Sequence, residues 1–466
     1  MKKVFSVLFV FLTMLFVFAV ATLSAVATDT EVPETTEISK TTEAPEEDTT
    51  EVAEYEFEFT LNPAGTAYIV TGYTGSPNEI VIPSIYEGLP ITSIGDHAFL
   101  GCAGLASIEI PEGITSIGKG TFYNCASLAS IEIPNSVTTI GEDAFYCCTS
   151  LESINIPDGI TTIGDYVFFN CTSLASIEIP DGVTSIGMET FALCKSLASV
   201  DIPDSVTSVG NRAFSGCESL ASVEIPNGIT CISERAFYGC SSLTGIEIPN
   251  SVTTIGNFAF YGCDGLTSIE FPDSVTYIGE WAFAACNGLT SVKIPNNVTT
   301  IGYSAFRYCP SIESIKLPDS ITSIDIYVFS DCKNLTSIEI PDSVTSICEG
   351  AFYECDNLET VYYTGTEEQW EAVHIAYNNK YLTRANIIYN YGIEDIEKET
   401  TEVTENSETT AEEITEAPDT TYDPTETEKD DTVQSGCSSA IGFDFVAVVS
   451  MIGAIGFAWF KKKNNN

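Results

Sequence analysis

The chain has 466 residues and a formal net charge of −48. Eighteen Lys and Arg stand against 66 Asp and Glu, which excludes nucleic acid as a partner, because gripping phosphate needs a basic surface. Two histidines and no Cys-x-x-Cys pair leave little material for a His-based relay or a thiolate metal site.

The chain opens as an export signal. Lys2 and Lys3 precede an apolar run from Val4 to Val20, and Ala25-Val26-Ala27 supplies a small-residue cleavage pattern, so residues 1–27 read as a signal peptide. Residues 28–54 are rich in Thr, Glu and Pro and poor in large apolar residues. Such a linker cannot bury enough surface to fold.

From residue 55 to 392 a repeat takes over. Cys102, Cys125, Cys148 and so on to Cys355 form twelve cysteines at a fixed step of 23 residues. A Phe stands three residues before each, from Phe99 to Phe352, and a Leu three after, with Ile312 the exception. One unit copied at fixed period predicts a solenoid, whose units bury a core only by stacking. In Leu105-Ala106-Ser107-Ile108-Glu109-Ile110-Pro111, apolar residues alternate with small or polar ones, which predicts a short strand with one buried face. Pro-Glu-Gly, Pro-Asp-Ser or Pro-Asn-Ser then turns the chain, with Pro expected to fix φ and Asp or Asn to bond back to the backbone. Ile114 to Gly118 reads as a second extended piece, and Thr121 to Cys125 as a short helical turn that points Phe122 inward. Stacked at the ~4.8 Å strand spacing, twelve units span roughly 58 Å. Residues 55–90 read as the N-terminal cap, in which Glu79-Ile80-Val81-Ile82-Pro83 is a degenerate repeat strand. Residues 364–392 read as the C-terminal cap, with Trp370 covering the last coil.

Residues 393–439 return to Thr, Glu and Pro and read as an acidic stalk that like charges keep extended. Residues 440–460 are apolar and run straight into Lys461-Lys462-Lys463. They read as one transmembrane helix, with 461–466 as a cytoplasmic tail. No LPxTG motif precedes the span. The expected topology is a single-pass cell-surface protein with its C-terminus inside, touching the membrane through that helix alone.

The pattern Leu-x-x-Ile-x-Ile-Pro followed by Ile-Thr-Ser-Ile-Gly-x-x-Ala-Phe-x-x-Cys resembles the leucine-rich repeat of the BspA-like bacterial surface proteins, across roughly residues 55–392. Ser233, Asp325 and Cys348 depart from it where Gly is usual. The resemblance implies a right-handed leucine-rich-repeat coil with a parallel β-sheet on the concave face and short helical turns or loops on the other side. It also implies exposure on the cell surface and an adhesin-like role toward an extracellular protein or glycan.

Three sets of columns are candidates for chemistry. The cysteines point the same way from stacked coils, a poor approach for a disulfide, so buried thiols donating weakly to loop carbonyls are expected. The outward strand positions Glu109, Glu132, Glu178, Asp201, Glu224, Glu247, Glu270, Lys293, Lys316 and Glu339 run beside a nearly all-serine column. They form an acidic, hydroxyl-lined stripe with a basic break at Lys293 and Lys316, and are the expected ligand-binding residues. Aromatic residues after the core Phe, such as Tyr123, Tyr146 and Phe169, either pack between coils or stack on sugar rings. A row of identical acids offers no asymmetry to separate two pKa values. No catalytic residue, metal or cofactor is therefore expected. The reading is a surface recognition protein, with a structural spacer lacking a specific ligand as the alternative.

Overall fold

The computed structural model describes residues 55–392. The expected signal peptide, linker, stalk and C-terminal transmembrane helix lie outside those residues. Among the described residues no helix is long and apolar enough to cross a membrane.

Strand alternation builds the first ladder. In Ser199–Asp201 the central Val200 is buried and its neighbours are exposed. The strand pairs parallel and in register with Ser176–Glu178 on one side and Ser222–Val223 on the other. The second extended piece builds another parallel ladder, where Ser116 faces Ser93 and Thr139. The turn joining the two is closed by the Val137 N–H on the Pro134 carbonyl at 3.0 Å. Proline thus occupies the first corner of this turn and does not set the φ of its second. The side chain that fastens the turn is the serine after Asp or Asn. Ser136, Ser205 and Ser251 donate to carbonyls of the preceding coil at 2.7, 2.6 and 2.6 Å.

The segment around each core Phe corrects the expected helical turn. In every coil the residues two before and two after the Phe have left-handed backbone, as at His97 (φ 58), Gly101 (φ 73), Arg212 (φ 57) and Gly216 (φ 73). A helix needs consecutive right-handed residues. Alternating hand instead aims every second N–H along the stack. The His97, Phe99 and Gly101 N–H groups meet the Lys119, Thr121 and Tyr123 carbonyls of the next coil at 2.9, 2.9 and 2.7 Å. This third stack is held between coils, as a sheet is.

The core is a set of continuous columns. All twelve Phe rings are at most 1% exposed and stack in file, with centroids 5.1 to 5.9 Å apart. Beside them, eleven thiols from Cys125 to Cys355 each donate to the carbonyl of the Phe one coil earlier at 3.0 to 3.3 Å, as Cys194 does to Phe168. The twelve cysteines of the repeat column, Cys102 to Cys355, are free thiols. Burial pushes the Cys148, Cys194, Cys240 and Cys286 thiols up to about 12, because the interior penalises the thiolate.

Both ends are closed by different means. At the start, β1 (Glu56–Leu61) pairs antiparallel with β2 (Tyr68–Thr74). β3 (Glu79–Val81) lies parallel to Ser107–Glu109 and so begins the first ladder, as the degenerate repeat suggested. β4 (Ile85–Tyr86) and β5 (Leu89–Ile94) form a small hairpin, and β5 joins β2 to the second ladder. The Tyr73 ring ends the aromatic file, 5.4 Å from Phe99. At the far end, Thr366 and Gln369 form a capping box that starts the helix Glu367–Ala372. Its Trp370 packs on Tyr363 at 5.0 Å. Asn386–Ile388 and His374–Ile375 then complete the two ladders. Asn379, only 3% exposed, stands in for a missing coil. Its Oδ1 accepts from the Phe352 N–H at 3.0 Å, and its Nδ2 donates to the Cys348 and Ala376 carbonyls at 2.9 Å each.

Candidate functional site

The outward strand positions are stacked one upon another. Glu178 faces Asp201, Glu270 faces Lys293, and Lys316 faces Glu339 in register. Single bridges join Asn155 to Glu178 and Glu224 to Glu247. Glu109, Glu132, Glu178, Asp201, Glu224, Glu247, Glu270, Lys293 and Lys316 are exposed, and Glu339 is half-buried. The strands therefore bring all ten residues to one face, as a single file. The period of two dictates this: once Ile or Val fills the core, the residues on either side must face out.

Like charges in register repel, and the file answers this only at its basic end. Lys316 Nζ lies 2.6 Å from Glu339, and this hydrogen bond raises the lysine above its ordinary range. Lys316 is 68% exposed, so the pair adds about 1 kcal/mol at most. Lys293 is exposed and makes no ion pair among the described residues. It stands between Glu270 and Lys316, a cation without an ion pair in a mostly acidic file.

The serine column is broken at Gly245. There the strand is reduced to a single bridge at Glu247, and Ile246 is only half-buried. A shallow depression of about 360 Å³ opens over Gly245, Glu247, Ser268 and Glu270.

On the turn side, rings pack against rings. Tyr123 stacks on Tyr146 at 4.4 Å, and Tyr146 on Phe169 at 4.6 Å. Both faces of Tyr146 are thereby covered, so this column does not serve as a platform for sugars there. A longer run of ring contacts crosses the last six coils. Sequence reading missed it, because its members come from three different columns. The available signal was their density between Tyr303 and Tyr308, where Arg307 also lies. Among the described residues no group of His, Cys, Asp and Glu has the arrangement of a metal site.

Among the described residues, a parallel solenoid with an unbroken core and a charged outer file defines a repeat protein built around surfaces. The sequence matches the BspA type leucine rich repeat region in six copies, over residues 74–198, 184–313 and 253–383. The chain belongs to that family. It is similar to a leucine rich cell surface protein from Faecalibacterium prausnitzii A2-165, with 30% identity over 71% of this chain and 98% of that one, at a TM-score of 0.46. It is also similar to a leucine-rich repeat protein from Bacteroides ovatus, with 27% identity over 72% of this chain and 98% of that one, at a TM-score of 0.41. A search among curated proteins finds no match.

Proposed function

We propose that the protein is displayed on a bacterial cell surface and recognises an extracellular protein or glycan through the strand face of its solenoid. Export and anchoring follow from the apolar termini with their lysine clusters, and the surface setting accords with the Faecalibacterium prausnitzii relative. The observation that carries recognition is Lys293. Copying a soluble repeat accounts for a file of acids, and it does not account for an exposed cation without an ion pair at the basic break in that file.

The test is a binding screen of the exported chain against matrix proteins, bacterial cells and polysaccharides. Lys293→Glu is the decisive variant, because the Lys293 side chain makes no ion pair among the described residues, whereas changing Lys316 also breaks its pair with Glu339. Saturable binding that Lys293→Glu abolishes supports the reading. Binding that ignores Lys293→Glu and charge reversals along the file, or no binding by a folded chain, leaves a structural spacer.

A further inference from the structure

We propose that the turn side of the last six coils is a second docking surface, for a protein partner that lays an Asp or Glu side chain on Arg307 among apolar contacts. This goes beyond the strand-face reading and uses the other side of each coil.

A continuous line of ring contacts runs from Tyr238 through Trp281 and Tyr303 to Tyr353, with centroids 4.9 to 6.4 Å apart. The repeat array supplies its own control. Ala192 and Ser215 stand where Tyr238 and Tyr353 stand, and Glu189 pairs with Arg212 where Trp281 and Tyr327 stand. Yet the core Phe rings of those earlier coils stack at the same 5.4 to 5.6 Å. The rings are not needed to build a coil.

Tyr238, Tyr308 and Tyr353 are 36%, 40% and 38% exposed. Tyr, Trp and Arg together are the residues that dominate protein interfaces.

Arg307 sets the chemistry. Its guanidinium lies 4.5 Å from the Tyr308 ring centre, 4.9 Å from Tyr327 and 5.5 Å from Trp281. Nε is buried without a hydrogen-bond partner, and the nearest carboxylate, Asp331, stands 3.7 Å from it and accepts instead from Ser330. The 19% of the side chain that remains exposed is therefore not at Nε. Three rings flank the cation, and its ion pair with Asp331, at 3.7 Å, makes no hydrogen bond to Nε. A partner's planar carboxylate fits the terminal nitrogens of such a fork. In a chain of net charge −48 this is a local exception. Association should therefore strengthen as salt rises from about 0.02 to 0.15 M, because screening reduces long-range repulsion first. Lys293→Glu probes the strand face and Arg307→Gln probes this one, so the two surfaces fail or succeed separately.

The experiment pans a phage-displayed library of random dodecapeptides on the purified chain, then measures synthesised clones by fluorescence anisotropy. The expected clones carry Asp or Glu flanked by apolar residues. They lose at least about tenfold in affinity to Arg307→Gln and to Arg307→Lys, and nothing to Lys293→Glu. Replacing the peptide's acid by its amide should cost the same factor, a test that holds even if an Arg307 variant folds poorly. Clones without a carboxylate, or clones indifferent to both changes, overturn the proposal. Polygalacturonate binding that disappears in Arg307→Gln would assign the surface to a glycan and overturn the protein partner.

Discussion

Asn379→Ala tests how the solenoid ends. The side chain replaces the coil that would follow, and it is 3% exposed with three hydrogen bonds of 2.9 to 3.0 Å. Truncation leaves the Phe352 N–H buried with no acceptor, a loss of about 1–3 kcal/mol. The Cys348 carbonyl loses its better donor and keeps only the Ala351 N–H at 3.4 Å, so the whole effect is about 2–4 kcal/mol. Because each coil contacts only its neighbours, the damage should stay local. The assay is amide hydrogen exchange. Protection at Phe352 and its neighbours should fall roughly 30- to 800-fold, at 1.4 kcal/mol per tenfold, with the coils around Phe214 unchanged. Thr383→Ala, an exposed change in the same cap, is the control. A drop below about threefold, or an equal loss along the whole chain, would refute the capping account.

Other expectations follow from the core columns. Phe214→Ala should lower stability by about 3–5 kcal/mol in chemical denaturation, since it opens a gap in a file whose neighbours sit 5.4 and 5.6 Å away. Gly210→Ala should also destabilise, by about 1–3 kcal/mol, because its Cβ would come within 2.5 Å of Gly187 and Met188 backbone; an unchanged midpoint would contradict that contact. The buried thiols predict alkaline unfolding. Their folded pKa values are raised, so their contribution is complete below the ordinary value of 9.0 and is lost as pH climbs toward about 12. Each such thiol removes about 1.4 kcal/mol per pH unit in that window, and circular dichroism that is unchanged at pH 11.5 would be inconsistent with it. Cys102, half-buried at the open end of the ladder, is drawn down to about 7 by hydrogen bonding with Cys125 and then Tyr73, against burial. Iodoacetamide at pH 7.5 should modify it before Cys194, at a rate that rises through pH 7 and then levels off.

The coil itself was legible in the sequence because a repeat turns packing into columns. Phe, Cys, Leu and the strand Ile or Val each return every 23 residues, and almost all prove buried, with Cys102 and Ile246 among the half-buried exceptions. The backbone of the turn was not legible. Residues at the left-handed positions range from Gly101 to Trp281, and only the glycines at 101, 120, 216, 239, 262 and 350 hint at positive φ. The fold imposes that conformation through hydrogen bonds between coils, so side-chain identity there records little of it. The strand-face residues share one face by the period of two, but which of the two lysines lacks an ion pair depends on how far Glu339 reaches. Asn379 left no trace at all, because a residue that occurs once has no period.

The third stack has a direction. Backbone N–H groups point from each coil to the next, and the thiols point back to the coil before. The two ends of any coil are therefore chemically unlike, and only whole coils are interchangeable. Removing 23 residues anywhere within the array rejoins donors with acceptors and keeps every column intact, whereas removing half that number sets donor against donor and Phe against strand. Gene duplication and loss in multiples of one coil can thus lengthen or shorten the reach of this protein without retesting the fold. The two caps, which occur once each, are the segments that cannot be exchanged.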